Sequence, residues 1–155
     1  MEIVEATEMH TQGIVELWIE FMKYHEKIDR IFTTSEDAPL KFRSYLIEAI
    51  ESDDSHVQVT LEKNEVVAYS ISRITNYPPV FEIIPRGEII ELAVRSDQRG
   101  KGIGEKMLSN ILSWFKERSI TRIELRVAVK NTIGYNFWKR HGFKEYLSVL
   151  SLDIN

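Results

Sequence analysis

The 155-residue sequence contains no cysteine. Disulfide bonds, thiolate metal sites and a cysteine nucleophile are therefore excluded. The absence fits a reducing compartment, and no apolar run is long enough for a membrane span. The acidic start at residues 1–5 is unlike a signal peptide. We therefore expect a cytoplasmic location and no membrane partner.

The sequence also lacks an excess of basic residues, since its formal net charge is −4. Nucleic-acid binding needs clustered Lys and Arg, so we expect no nucleic-acid partner. The mild acidity suits a cationic amine ligand, but it serves solubility equally well. The four histidines show no metal-ligand spacing, and we expect no metal. The sequence leaves formation of a homodimer open.

No linker, internal repeat or low-complexity tract divides the chain, so residues 1–155 are predicted to form one domain. Apolar periodicity predicts four helices, at 7–25, 39–53, 103–118 and 132–140. Alternation predicts strands at 3–6, 56–61, 66–74, 88–94, 122–129, 143–146 and 147–154. The strand–helix–strand unit after residue 88 implies a parallel crossover. The predicted fold is a three-layer α/β/α sandwich with a mixed, mostly antiparallel sheet.

The most informative stretch joins the apolar run at 89–94 to an amphipathic helix through Gly100, Gly102 and Gly104. A helix N-terminus leaves about four backbone N–H groups unpaired and carries partial positive charge. Glycines there let an anion approach the backbone. With Arg99 and Lys101 interleaved, the pattern predicts a phosphate site. The alternative is that the glycines serve only the turn and the two cations are solvated.

Two motifs resemble one protein family. Residues 99–104 fit neither the nucleotide P-loop nor the dinucleotide fingerprint. They fit Q/R-x-x-G-x-G/A, the pyrophosphate-binding signature of the GNAT family of N-acetyltransferases. Residues 131–143 resemble that family's N-x-x-A-x-x-x-Y-x-x-x-G-F motif. Asn131, Gly142 and Phe143 match it directly, Gly134 stands at the small position, and Trp138 replaces the tyrosine.

The resemblance implies the acyl-CoA N-acyltransferase fold and acetyl-CoA as cosubstrate. It also implies that main-chain groups near the end of the strand bind the pantetheine arm. Asn131 is equally suited to capping a helix, and Trp138 can either pack on the pantetheine or fill the core. The implied acetyl-CoA contacts are Leu92, Ala93, Val94, Arg99, Gly100, Lys101, Gly102, Ile103, Gly104, Glu105, Asn131 and Trp138.

Acetyl transfer to an amine requires a group that removes the ammonium proton, because a lysine-like amine has a pKa of about 10. Glu88 and Glu91 are the candidates, since both lie in the strand beside the implied thioester. They are three residues apart and face opposite sides in a regular strand. We favour Glu91 as the base and interpret Glu88 as a solvated strand end.

The departing thiolate requires a proton, and an indole at position 138 cannot supply it near neutral pH. Tyr135 lies three residues earlier on the same helix and is the candidate acid. Alternatively, the thiolate leaves unaided. The leading hypothesis is an N-acetyltransferase acting by direct transfer on a small-molecule or peptide amine. The rival is a non-catalytic acyl-CoA-binding module of the same fold.

Overall fold

The computed structural model describes all residues, 1–155, as five strands and four α-helices with three short 3-10 turns. In chain order the elements are β1 (Glu2–Glu5), α1 (Thr11–Ile28), α2 (Ala38–Glu51), β2 (Ser55–Glu62), β3 (Glu65–Asn76), β4 (Pro85–Val94), α3 (Ile103–Glu117), β5 (Ile123–Leu125) and α4 (Thr132–Arg140). None of these helices is both long and apolar enough to cross a membrane.

The strands form one sheet in the order β1-β2-β3-β4-β5. The first three pairings are antiparallel, and β4 pairs with β5 in parallel. Helix α3 makes the crossover between the two parallel strands, as the sequence predicts. The three-layer sandwich with a mixed, mostly antiparallel sheet is therefore confirmed.

Two helices cover each face of the sheet. The main core lies under α1 and α2, where Ile14 and Leu46 are fully buried and Trp18 stacks on Phe42 at a centroid distance of 4.3 Å. A second core lies on the other face, where α3 and α4 pack on Ile89. Both helix pairs bury the apolar stripe that their 3.6-residue periodicity predicts.

Strand β4 contains one extra residue relative to β3. Ile71 lies opposite Glu91 and Ser72 lies opposite Ile89, so Ile90 has no partner on β3. Such a β-bulge bends the strand and redirects the side chains that follow it.

The pairing of β4 with β5 ends before β4 does. The parallel register covers Gly87 to Ile89 on β4, ending at the Ile89–Leu125 pair, although β4 continues to Val94. Beyond that pair the two strands part. The edge of β4 that faces β5 is therefore available to an extended ligand over residues 90–94.

Two predicted strands are wrong and one is too long. Residues 143–154 form no strand, and β5 covers only residues 123–125 of the predicted 122–129. Alternation identifies residues that suit a strand, but a strand also needs a partner edge for its backbone. The C-terminal segment instead contacts the rest of the chain through side chains, including an exposed Arg30–Asp153 ion pair at 2.7 Å, and Leu150 is exposed.

Candidate active site

The glycine-rich turn has the geometry that an anion site requires. Gly100 and Gly102 have φ values of +77° and +78°, and Gly102 caps the N-terminus of α3. These values lie in the left-handed region that favours glycine. A Cβ at Gly100 would meet no atom within 4 Å, so the backbone there faces open space. The turn therefore fits a pyrophosphate approaching the first N–H groups of α3.

Gly104 is needed for a different reason. A Cβ there would lie 3.2 Å from the Phe137 ring and 3.6 Å from the Leu92 side chain. This glycine lets α3 approach both β4 and α4 closely. Ile103 is 3% exposed and belongs to the core, so only its backbone can face a ligand.

The charged side chains of the turn are exposed, and each contacts another group of the protein. The Arg99 Nε donates to the Val94 carbonyl at 3.2 Å, and the Lys101 Nζ donates to the Gln98 side chain at 2.7 Å. Glu105 lies in the first turn of α3, with an oxygen 3.9 Å from the His141 Nε2. The cations therefore lie beside the turn but already have protein partners.

The second motif places Asn131 at the N-cap of α4, where its Oδ1 accepts from the Gly134 N–H at 3.1 Å. Its Oδ1 also accepts from the Tyr24 hydroxyl at 3.1 Å. The capping prediction for Asn131 is thus confirmed. Trp138 is 9% exposed and packs edge-on against Phe143 in the second core. Its indole therefore serves the core.

Glu91 lies on the α1–α2 face of the sheet in a half-buried position. It accepts a hydrogen bond of 2.6 Å from the Tyr69 hydroxyl. Burial raises the pKa of Glu91 from 4.5 to about 7, while the Tyr69 and Trp18 side chains oppose that shift. A carboxyl group with this pKa is suited to proton transfer near neutral pH.

Glu88 faces the same side as Glu91, which corrects the expectation for a regular strand. Glu88 lies opposite Arg73, and Glu91 lies opposite Ile71, two residues away on β3. Directly paired residues share a face, and the extra residue Ile90 brings the two glutamates onto one face. Glu88 accepts from the Arg73 guanidinium at 3.1 and 3.0 Å, so it is paired rather than solvated.

Sequence reasoning missed the partners of these carboxylates. Tyr69 has no exposed surface, and burial raises its pKa well above the usual range, so it remains a hydrogen-bond donor. Tyr45 on α2 is a second phenol near the site. Its pKa is raised mainly by burial, with Arg73 opposing the shift and Glu91 and Glu88 adding to it. Strand alternation predicts which face of the sheet Tyr69 occupies. It cannot predict the partner of Tyr69 on β4, because that pairing depends on the bulge.

Tyr135 projects its hydroxyl onto the carboxylate of Glu145. That hydrogen bond raises the pKa of Tyr135, and Lys139 lies 5.9 Å from its ring centroid. The structure therefore gives this phenol a partner on the C-terminal segment. No group of three or more His, Asp or Glu side chains is arranged to hold a metal ion.

Comparison with known proteins identifies relatives of the chain. The model of the Acetyltransferase (GNAT) family matches residues 15–143. An uncharacterized N-acetyltransferase of Archaeoglobus fulgidus is 29% identical over 138 residues, covering 89% of each chain. An N-alpha-acetyltransferase of Sulfurisphaera tokodaii is 28% identical over 106 residues, which are 65% of this chain and 64% of that protein. A further N-acetyltransferase, uncharacterized, from Methanocaldococcus jannaschii is 40% identical over 58 residues, which are 37% of this chain and 26% of that protein.

Solved structures share the fold over the whole chain. A mutant of the BH1408 protein from Bacillus halodurans superimposes with a TM-score of 0.90 at 25% identity, covering 100% of both chains. A predicted acetyltransferase from Clostridium acetobutylicum, solved with acetyl-CoA, superimposes with a TM-score of 0.78 at 20% identity, covering 98% of this chain and 95% of that one.

The raised pKa of Glu91 predicts a pH-dependent cost to stability. A carboxyl group whose folded pKa lies above its unfolded value stabilises the fold most below about pH 4.5. That contribution is lost as the pH rises through about 7. Glu91→Gln cannot ionise and keeps an oxygen for Tyr69. The variant should therefore become more stable than wild type, by on the order of 1–3 kcal/mol, as pH rises from 4.5 to 8.

Thermal or urea unfolding of both proteins across this pH range measures the difference. Glu88→Gln is the matched control, because its carboxylate is paired with Arg73, and it should not gain stability at high pH. A constant difference between Glu91→Gln and wild type across the range would contradict a raised pKa for Glu91.

Proposed function

Because the chain belongs to the GNAT family of acetyltransferases, we propose that it transfers the acetyl group of acetyl-CoA directly to a primary amine. The observation that carries the proposal is Glu91, a half-buried carboxyl group with a pKa of about 7 on the strand beside the gap between β4 and β5. A non-catalytic acyl-CoA-binding module has no need of such a group. Perturbed carboxyl groups in clefts are typical of proton-transfer sites.

The proposed donor site runs along the gap between the two parallel strands. The pyrophosphate binds at the N–H groups of residues 100–105, at the positive end of α3. The pantetheine arm follows the free edge of β4 at Leu92, Ala93 and Val94, where backbone N–H groups can polarise the thioester carbonyl. Arg99 and Lys101 exchange their present protein partners for phosphate oxygens.

The proposed reaction begins with proton transfer from the ammonium group of the acceptor to the Glu91 carboxylate, directly or through one water. The free amine attacks the thioester carbonyl, so that a C–N bond forms and the C–S bond breaks. Since the thiol pKa is about 8.5, the thiolate leaves readily. It takes the proton that the attacking nitrogen loses as the amide forms, directly or through water, and Glu91 returns its own proton to solvent. No covalent enzyme intermediate is needed.

The acceptor binds on the α1–α2 face, near Glu91, Arg73 and Tyr45. The relative named as an N-alpha-acetyltransferase supports a peptide N-terminus as one acceptor class. A solved aminoglycoside acetyltransferase with the same fold supports a small-molecule amine as the other, at a TM-score of 0.78 and 17% identity. A panel of both classes, assayed by release of free thiol, tests the function. Absence of transfer to every amine would favour the binding module.

Binding of acetyl-CoA should raise the melting temperature of the protein, because a ligand specific to the folded state stabilises it by mass action. Replacing Gly102 by valine should abolish that shift, since valine does not adopt a φ of +78° without strain. Gly104→Val is the less clean variant because its side chain would meet Phe137. Calorimetry that detects no binding of CoA to the wild type would overturn the proposed function.

Glu91→Gln should lower kcat/KM by about 10²–10⁴ near neutral pH, the usual contribution of a general base. Below about pH 7 the ratio of wild-type to variant kcat/KM should be constant. Glu91 becomes protonated in the wild type and the free amine becomes scarcer for the variant, so both rates fall by the same factor. The ratio should shrink above pH 7 as free amine becomes abundant. Glu88→Gln is the control, and a larger, pH-dependent loss in that variant would identify Glu88 as the base instead.

Tyr135→Phe keeps the ring and removes the hydroxyl that donates to Glu145. We expect turnover within about threefold of wild type, because a general acid would contribute about 10²–10⁴ in rate and this hydroxyl is committed to a carboxylate. Steady-state kcat with saturating acetyl-CoA measures the effect. A loss of 100-fold or more with unchanged affinity for CoA would restore Tyr135 to the mechanism.

A further inference from the structure

Two arginines lie close together at the start of β4 and β5, on the face of the sheet that holds the proposed base. Glu88 of β4 pairs with Glu124 of β5 in the parallel register. Arg86 and Arg122 each precede one of these glutamates by two residues, so alternation places them on the same face. Both guanidinium groups contact Glu124, at 3.4 Å from the Arg86 Nη1 and 3.3 Å from the Arg122 Nε. The α1–α2 face therefore continues from the two glutamates of β4 into a pair of arginines.

The arginine pair carries more positive charge than its protein partner neutralises. Glu124 is the one carboxylate that the two arginines share, because Glu88 is paired with Arg73. Two guanidinium groups on one carboxylate leave one positive charge in excess. The Glu124 side chain is 14% exposed, whereas those of Arg86 and Arg122 are 28% and 41% exposed. The excess charge therefore lies where a ligand can reach it.

Most hydrogen-bond donors of the two guanidinium groups are unused. Each guanidinium carries five N–H donors. Arg86 donates only through Nη1, and its Nε is buried without a partner. Arg122 donates only through Nε, to the Tyr77 hydroxyl at 2.9 Å and to Glu124. The unused N–H groups are of the kind that a carboxylate accepts from in a charge-assisted pair.

Aromatic rings hold both guanidinium groups in place. Arg86 lies over the Tyr77 ring at 4.5 Å from its centroid, and Arg122 lies over the Tyr146 ring at 4.6 Å. The Tyr146 hydroxyl in turn donates to Glu124. Stacked guanidinium groups are the usual choice for binding planar anions. Both cations are therefore ordered before a ligand binds, which lowers the entropy cost of binding.

The distance from the arginine pair to Glu91 indicates the length of the acceptor. On β3, the partner of Glu91 is Ile71 and the partner of Arg86 is Thr75, four residues further along. A strand rises about 3.3 Å per residue, so the two positions on β4 lie about 13 Å apart. An extended peptide covers about 3.3–3.6 Å per residue. A ligand that reaches both positions is therefore a peptide of about four residues, and a free amino acid is too short.

We propose that Arg86 and Arg122 bind an acidic side chain of the acceptor, at about the fourth residue of a peptide whose N-terminal amine receives the acetyl group. The inference rests on the proposed function, since it assumes that the reacting amine lies at Glu91. Of the two acceptor classes, it selects the peptide. The two arginines determine specificity and do not touch the reacting atoms.

Two amidated tetrapeptides that differ only in their last residue, glutamate or glutamine, test the arginine pair. Titration calorimetry measures the affinity for each peptide, and release of free thiol from acetyl-CoA measures kcat/KM. The wild type should prefer the glutamate peptide by about 10- to 100-fold in both measurements, the effect of charge-assisted hydrogen bonds. Arg122→Gln should remove most of that preference. Arg118→Gln is the matched control, because it removes the same charge from the Trp114 ring on α3, and it should keep the wild-type preference.

Equal affinity of the wild type for the two peptides would overturn the arginine site. A preference that persists when both arginines are replaced by glutamine would overturn it too. An equal loss for both peptides in Arg122→Gln would show a structural role instead. Transfer to both peptides at equal rates would overturn the site while supporting the proposed function. Preferential binding of the glutamate peptide without thiol release from any amine would support the site and contradict the proposed function.

Discussion

The position of the site depends on one constraint, that β4 pairs with two neighbours of opposite direction. Its antiparallel ladder with β3 contains an extra residue at Ile90, and its parallel ladder with β5 ends one residue earlier, at Ile89. The bulge and the parting of the strands therefore occur at the same place. The bulge presents Glu91 and Glu88 on the α1–α2 face, and the parting frees the other edge of β4. Acceptor and donor can thus approach one strand segment from different sides.

Local sequence patterns predicted the parts of the site that are local in the chain. The turn at residues 99–104 and the cap at Asn131 each depend on neighbours within a few positions, and the structure has both where the motifs indicate. The same holds for α1, α3 and α4, whose apolar periodicity is strong. These features are readable because glycine conformation, N-capping and helical periodicity act over one or two turns.

The contacts between distant segments could not be read in this way. Tyr69 on β3 contacts Glu91 on the neighbouring strand β4, and Tyr24 contacts Asn131, which lies 107 positions later in the chain. Both depend on register, and a single extra residue at 90 reverses the face that simple alternation assigns to Glu91 relative to Glu88. The prediction of C-terminal strands was wrong for a related reason. Alternation at residues 147–154 indicates side chains that suit a strand, but it does not show that another strand has a free edge for them to pair with.

The two carboxylates of β4 on the α1–α2 face differ in their partners, because Arg73 pairs with Glu88. A free carboxylate on the same face would raise the pKa of Glu91 further, because like charges disfavour ionisation. Burial raises the pKa of Glu91, and the Tyr69 and Trp18 side chains oppose that rise. Two guanidinium nitrogens of Arg73 donate to one oxygen of Glu88, so Glu88 already has a cationic partner. Glu91 has no such partner among the ion pairs of the structure, and its only close donor is the Tyr69 hydroxyl. Glu91 is therefore the carboxylate of this face that remains for the ammonium group of an acceptor.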